Sequence, residues 1–180
     1  MTKASDCNAL RSAQGQPPAR ARRWWGGVAF ALAMNVSAGC GSPVPKLRDA
    51  GKSPDELRTM LADHDPEVQA RGALGLSQIG ADARDAVSEL IPLLKSQNAL
   101  ARQNAALALA AIGPDAREAV AALIEALKDS EWAVRRQAAI ALGAIGAEAK
   151  SALAELKRLD ADPQKLVRDA AKQARAKIGG

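Results

Sequence analysis

The chain has 180 residues, enough for one domain with a short appendage, and it combines a formal net charge of +5 with only 2% aromatic residues. The basic excess lies at the N-terminus. Five basic and one acidic side chain precede Cys40, whereas 20 basic and 19 acidic side chains follow from there on. A nucleic-acid-binding domain should carry a basic face, so a nearly neutral remainder argues against nucleic acid as a partner.

Residues 1–39 show the order of features that is typical of an export signal. Arg20, Arg22 and Arg23 are followed by the thirteen uncharged residues Trp24 to Val36 and then by three small residues. The apolar run is shorter than the about 20 residues that a transmembrane helix needs. We therefore expect residues 1–39 to be a signal peptide that is removed after export.

The end of this segment, Val36-Ser37-Ala38-Gly39-Cys40, resembles the lipobox of bacterial lipoproteins, although Leu is commoner than Ser at the second place. The resemblance implies cleavage before Cys40 and covalent lipid on it, which would hold the exported protein on a bacterial membrane, inner or outer. The alternative is a cleavable signal peptide followed by an incidental cysteine. Residues 40–52 contain Pro and Gly without an apolar period, which predicts that the lipidated Cys is followed by a flexible tether.

From residue 53 onward the sequence repeats every 33 residues. Four Ile-Gly pairs keep this step, and they begin at Ile79, Ile112, Ile145 and Ile178. Two sets of leucines keep it as well, one at Leu76, Leu109 and Leu142 and the other at Leu90, Leu123 and Leu156. Self-similarity at this period is typical of a solenoid, in which stacked units share one core that no single unit could form. The period divides the domain, 53–180, into a half-repeat 53–62, repeats 63–95, 96–128 and 129–161, and a terminal half-repeat 162–180.

Each unit is predicted to contain two antiparallel helices. Apolar residues at helical spacing form one face of the first helix, and a glycine such as Gly146 follows where a helix C-cap belongs. Ser53 with Glu56 predicts the capped start of an opening helix, and Asp82 and Asp115 are expected to cap the second helices. The fold class is all-α with about eight helices, at 54–62, 66–79, 83–95, 99–112, 116–128, 132–145, 149–159 and 163–177.

Residues 129–146, Asp-Ser-Glu-Trp-Ala-Val-Arg-Arg-Gln-Ala-Ala-Ile-Ala-Leu-Gly-Ala-Ile-Gly, resemble the short bacterial HEAT-like repeat that also occurs in phycobilin lyases. The resemblance covers about residues 53–180. It implies a right-handed α-solenoid whose second helices line the concave side. It also implies a ladder of Asp and Arg side chains between repeats, at Asp63, Asp129 and Asp162 and at Arg102, Arg135 and Arg168. Gln69 and Ser96 depart from this pattern, so we expect the ladder to be interrupted there.

The second helices provide a candidate partner surface of mixed charge, which suits a protein or peptide better than a nucleic acid. We assign to it Arg84, Glu89, Arg117, Glu125, Lys150, Glu155 and Arg158, together with Trp132, because tryptophan is enriched at binding hot spots. The alternatives are an ordinary solvated face and a Trp132 that packs against a neighbouring loop.

Catalytic groups are scarce. The single histidine, His64, lies between two aspartates, but adjacent residues seldom converge on one metal ion, and no nucleophile–base pair is evident. We therefore expect no enzymatic activity, no metal and no cofactor other than the lipid. The favoured hypothesis is a membrane-anchored scaffold for protein–protein interactions in a bacterial cell envelope. The alternatives are a chromophore lyase or isomerase, suggested by the family resemblance, and a purely structural envelope lipoprotein.

Overall fold

A computed structural model describes residues 51–179 of the chain. This part contains eight α-helices and no β-strand, which confirms the predicted all-α solenoid. The helices are α1 (Pro54–Leu61), α2 (Pro66–Ile79), α3 (Val87–Leu93), α4 (Ala99–Ile112), α5 (Val120–Ala126), α6 (Trp132–Ile145), α7 (Leu153–Arg158) and α8 (Lys165–Gly179).

The long helices α2, α4 and α6 have the bounds that the sequence predicts, because local signals set both ends. Asp65 Oδ1 accepts the backbone N–H of Glu67 at 2.8 Å, and Asn98 Oδ1 accepts that of Leu100 at 2.8 Å. At the other end a glycine takes a positive φ, with 70° at Gly80, 75° at Gly113 and 77° at Gly146. Glycine has no Cβ, so it allows this reversal at low steric cost. The predicted capping box of Ser53 and Glu56 is also present at the start of α1.

The second helices differ from the prediction in their first halves. Each begins as a seven-residue 3₁₀ segment and becomes α-helical only at Val87, Val120 or Leu153; the segments are Gly80–Ala86, Gly113–Ala119 and Gly146–Ala152. The prediction that Asp82 and Asp115 cap these helices is therefore wrong, since both lie inside a 3₁₀ segment. A 3₁₀ helix has three residues per turn, so it aligns buried alanines spaced by three, at Ala83 and Ala86, Ala116 and Ala119, and Ala149 and Ala152.

The helices form two layers. The long helices α2, α4, α6 and α8 pack directly against one another in that order. The short helices α3, α5 and α7 make little contact with one another, and α3 and α5 pack instead against the 3₁₀ segment of the following repeat. We call the layer of α2, α4, α6 and α8 the inner layer and the layer of the second helices the outer layer; these names refer to the helices and not to the curvature of the stack. The expectation that the second helices line the concave side stays a prediction.

Small side chains allow the close spacing of the inner layer. A Cβ on Gly143 of α6 would lie 2.9 Å from Ala174 Cα of α8, so the two backbones approach closely. Leucines fill the space between the layers, and those at Leu76, Leu109, Leu142, Leu90, Leu123 and Leu156 are 0% exposed. Each fully buried leucine contributes about 1.5–3 kcal/mol, so these columns account for much of the stacking free energy.

The opening helix α1 does not pack as the second half of a repeat does. It lies much more extensively on α2 than α3, α5 and α7 lie on the long helices that follow them. The reason is Gly72 and Gly75, which stand where the other long helices have buried alanines. A Cβ at Gly72 would be 2.8 Å from Met60 Cβ, and one at Gly75 would be 2.5 Å from Leu57 Cδ2. The helix therefore covers the open end of the inner layer.

Candidate partner-binding surfaces

The anchor prediction lies outside the described residues. Cys40, the signal peptide 1–39 and most of the tether 40–52 precede residue 51, where the structural description begins. Within residues 51–179 no helix is long and apolar enough to cross a membrane.

The predicted partner surface lies on the outer layer. Arg84, Arg117 and Lys150 occupy the same place in the three 3₁₀ segments, and all are exposed. Within residues 51–179 these three cations have no ion pair, although the acids Asp85 and Glu118 stand next to two of them. The surface is therefore a row of isolated cations interspersed with acids.

The other charged residues of this surface are engaged locally. Glu89 Oε1 accepts a hydrogen bond from Arg58 Nε at 3.1 Å, and this bond, with one from Ser88, lowers the pKa of Glu89. Arg158 Nη1 donates to Glu155 Oε1 at 3.1 Å, one turn earlier in α7. Glu125 lies 3.6 Å from the ammonium of Lys128. These acidic side chains of the predicted surface are therefore paired within the chain, whereas Arg84, Arg117 and Lys150 have no ion pair in residues 51–179.

Trp132 is the first residue of α6 and is 40% exposed. Two further large apolar side chains are more exposed than Trp132, Leu100 in α4 and Leu166 in α8, each at 53%. All three lie in the first turn of a long helix, at the same edge of the repeats. Leu100 and Leu166 were missed in the sequence, although they lie two periods apart in one column.

A second apolar feature runs along the exposed stripe of the inner layer. Leu74, Leu107 and Ile140 occupy one column of the 33-residue register on α2, α4 and α6, and all are only partly buried. The same column in α8 holds Gln173, which is exposed. Neighbouring long helices lie about 8–10 Å apart, so the three side chains form a continuous row across the stack. Apolar residues that recur on the exposed face of adjacent repeats typically mark a binding surface.

The ladder residues form two ion pairs between repeats. Arg102 Nε donates to Asp129 Oδ2 at 2.7 Å, and Arg135 Nε donates to Asp162 Oδ2 at 2.7 Å. Burial opposes ionisation of Asp129, but hydrogen bonds from Arg102 and from the backbone N–H of Glu131 outweigh it and lower its pKa. The pKa of Asp162 is lowered in the same way, by Arg135 and the N–H of Gln164 against the effect of burial.

At the first junction Gln69 and Ser96 replace the Arg and the Asp. Gln69 Nε2 donates to the carbonyl of Asp63 at 2.7 Å and forms no hydrogen bond with Ser96 among the contacts of the described residues. A cavity of about 430 Å³ opens there, with Gln69, Ser96, Lys95, Leu61, Pro92 and Leu93 in its lining. Asp63 and Arg168, at the two ends of the ladder, form no rung within the described residues.

Metal ligands do not converge in this part of the chain. His64 is exposed in the turn before α2. Within residues 51–179 no group of three or more His, Cys, Asp or Glu side chains could hold a metal ion.

Comparison with known proteins agrees with this architecture. The family model described as HEAT repeats matches residues 54–117 and 87–176, which together cover more than half of the chain. The chain belongs to the HEAT repeat family. No curated protein matches it significantly.

Solved structures similar to this HEAT repeat protein include two engineered proteins. They are 27% and 26% identical to it with TM-scores of 0.61 and 0.64, and the matches cover 71% and 73% of this chain. A designed armadillo repeat protein in complex with the peptide (KR)4 is 21% identical, with a TM-score of 0.61 over 68% of this chain, and shows the fold alone. The matches span only 62–66% of the length of these three proteins.

Proposed function

We propose that this HEAT repeat protein is a membrane-anchored, non-enzymatic scaffold of a bacterial cell envelope, and that it binds a protein or peptide on its inner layer. The repeat fold suits such a role, since stacked helices create an extended surface without a deep catalytic cleft. The observation that carries the proposal is the row of partly buried side chains Leu74, Leu107 and Ile140 on adjacent long helices.

The chemistry of the inner layer indicates an apolar partner surface. Beside the row, Ala111 is exposed and Ala144 is partly exposed, and these small side chains leave room for a partner to approach the helices. The positions one turn before the row are Ala70, Gln103 and Arg136, so the surface has no run of like charge that would select a nucleic acid. A partner segment that offers apolar side chains at the spacing of the repeats would bury this row.

The designed armadillo protein with its bound peptide is a parallel in architecture. It supports the general idea that a stack of helical repeats can bind a peptide. The partner chemistry proposed here differs, because it follows from the apolar row of this chain.

The anchoring part of the proposal rests on the sequence of residues 20–40. Replacing Cys40 by Ser should abolish incorporation of labelled fatty acid and release the protein from the membrane fraction. Retention of the Cys40→Ser variant on membranes, with labelling unchanged, would refute the anchor while leaving the binding surface open to its own test.

The binding surface is tested by crosslinking in cells followed by mass spectrometry. Leu74→Gln and Leu107→Gln copy the residue that α8 carries in the same column, Gln173, so the fold should tolerate them, whereas Ile140 also packs against the core and is left unchanged. We expect the double variant to lose the crosslinked partners of the wild type. The matched control reverses Arg84, Arg117 and Lys150 on the outer layer and should leave the partners unchanged. If only the outer variant loses them, the partner binds the outer layer and the proposed site is wrong.

A further inference from the structure

The large apolar side chains that are exposed in residues 51–179 gather at one edge of the stack. They are Leu100, Trp132 and Leu166, and each belongs to the first turn of a long helix. Helical side chains lean toward the N-terminus of their helix, so these three lean toward the junctions that precede α4, α6 and α8. Single apolar side chains on a surface are ordinary, whereas three at one edge form a patch that favours contact with another apolar phase. We call this patch the apolar edge.

Lysines accompany the apolar edge. Each of the three junctions carries one exposed lysine, at Lys95, Lys128 and Lys165. Lys128 lies 3.6 Å from Glu125, and Lys165 bonds to Asp169 at 2.6 Å. The side chains of these two lysines are 52% and 77% exposed, and ion pairs at such positions contribute little. The ammonium groups can therefore turn toward a second anion at low cost.

Most carboxylates of the same junctions are neutralised. Asp129 and Asp162 are paired with the arginines of the ladder, and Asp160 is paired with Arg175. Glu131 is exposed beside Trp132, but the three lysines outnumber it. The junction before α2 differs, since it has no large exposed apolar side chain and carries exposed carboxylates at Asp63, Asp65 and Glu67. The combination of apolar side chains and positive charge is thus confined to the three later junctions, and it fits a surface of anionic lipid.

We propose that the apolar edge rests on the anionic lipid surface that holds Cys40. This inference depends on the proposed anchor. The residues from Cys40 to Lys52 can extend to about 45 Å, whereas α1, which leads from them toward the junctions, is about 12 Å long. A chain held at Cys40 can therefore place the edge on the same membrane. The anchor also keeps the local concentration of lipid high, so that a small contact suffices.

This contact would orient the proposed partner surface. The long helices begin at the apolar edge and would extend away from the lipid. The row of Leu74, Leu107 and Ile140 lies about seven residues further along these helices, which corresponds to about 10 Å. The row would face sideways just above the membrane, where it is open to a partner that is itself close to the lipid.

The test uses the fluorescence of Trp132 on vesicles of phosphatidylglycerol and a phosphatidylcholine brominated near the headgroup end of its acyl chains. Trp24→Phe and Trp25→Phe in the full-length chain leave Trp132 as its only tryptophan. Bromine quenches a tryptophan that reaches the acyl chains. A chain attached at Cys40 should therefore lose Trp132 emission relative to the same vesicles without bromine, and the remaining emission should shift to the blue.

Substitutions at the edge should reduce this quenching while the chain stays attached. Leu100→Gln and Leu166→Gln should each lower the ratio of contacting to free domains by about tenfold. The column of these two leucines holds Glu67 in α2, so the fold should tolerate a polar residue there. The matched control is Leu74→Gln, which makes the same change away from the edge and should leave the quenching unchanged.

The role of the lysines is tested with a second pair of variants. Replacing Lys95, Lys128 and Lys165 by Gln should weaken the contact by about fivefold for each lysine. Replacing Arg84, Arg117 and Lys150 by Gln removes the same charge from the outer layer and should have little effect. Equal effects of the two triple variants would overturn the assignment of anionic lipid to this edge.

The anchor and the edge fail in different measurements. Incorporation of labelled fatty acid reports the anchor at Cys40. If the cell leaves Cys40 unmodified, its thiol is coupled to a maleimide lipid in a Cys7→Ser chain, so that the edge is measured in either case. An attached chain whose Trp132 emission is the same with and without bromine overturns the proposal, and so does quenching that persists in the double leucine variant. Neither result affects the anchor.

Discussion

Arg102 and Asp129, 27 residues apart, join two neighbouring repeats through a bidentate ion pair, with Nε–Oδ2 at 2.7 Å and Nη2–Oδ1 at 2.9 Å. The side chains are only 14% and 10% exposed. The remaining Arg102 nitrogen, Nη1, donates to the carbonyl of Ser96 at 2.7 Å, so the buried charge is well satisfied. The pair therefore differs from the exposed ion pairs of this chain, whose contributions are small.

Removing one member of this pair should be costly. We expect Arg102→Met to lower the free energy of unfolding by about 3 kcal/mol, because Asp129 would remain buried without its cation. Urea unfolding followed by helical circular dichroism measures this change. The control is Arg158→Met, whose side chain is 75% exposed, and which should cost at most about 1 kcal/mol. Equal effects of the two substitutions would show that the ladder contributes no more than a surface pair.

The ladder should also make stability depend on acid. The pKa values of Asp129 and Asp162 lie below the ordinary value of 3.8, so both bind protons more weakly in the folded state than in the unfolded state. The stability that these two carboxylates contribute to the fold is fully present above pH 3.8 and is lost as the pH falls through their pKa values in the folded state. We expect urea midpoints to fall steeply below about pH 4. The Asp129→Asn and Asp162→Asn double variant should start from a lower midpoint at pH 7 and lose less of it on acidification.

Gly72 should not tolerate alanine. Alanine normally stabilises a helix interior by about 1 kcal/mol relative to glycine. Here the added Cβ would meet Met60 Cβ at 2.8 Å and the carbonyl oxygen of Leu57 at 3.0 Å, so we expect a net destabilisation of about 1–3 kcal/mol instead. Amide hydrogen exchange should show α1 losing protection first. Gly179→Ala, with nothing within 4 Å, is the control, and unchanged protection of α1 in Gly72→Ala would refute the packing described.

The interrupted junction can be completed. Gln69→Arg with Ser96→Asp should recreate the rung, since Gln69 already bonds to Asp63 O and Ser96 Oγ already accepts the N–H of Asn98 at 3.3 Å. We expect the double variant to be more stable than the wild type by about 1–2 kcal/mol, and each single variant to gain nothing. A double-mutant cycle in urea isolates the coupling. Zero coupling would mean that the cavity at this junction prevents the two side chains from meeting.

The sequence predicts the period and the long helices because both depend on local pattern, whereas the ladder positions came from the resemblance to the HEAT-like repeat. Gly80, Gly113 and Gly146 mark the helix ends, and the columns of leucine mark the core. The 3₁₀ segments were not anticipated, because the alanines at 83 and 86 fit either three or 3.6 residues per turn. Only the burial of these alanines against the neighbouring repeat distinguishes the 3₁₀ conformation from the α-helical one.

The candidate surface was harder to predict than the fold. Which side chains of a layer stay exposed depends on the packing of helices that are distant in sequence, and the small residues that allow this packing also fit an ordinary core. The packing of α1 depends likewise on Gly72 and Gly75. Their role in packing is clear only from the structure, in which Leu57 of α1 lies against them. The sequence pattern alone did not single out Leu74 and Leu107, which are both partly exposed.

The positive-φ glycines have a consequence for how such an array can change length. Each repeat carries its own helix start, its own reversal at a glycine and its own half of each junction, so a 33-residue block is self-contained. Duplicating or deleting one internal block would lengthen or shorten the inner layer by one helix, about 10 Å, without altering the remaining junctions. The extent of the surface is therefore adjustable in whole steps, which lets one architecture serve partners of different length.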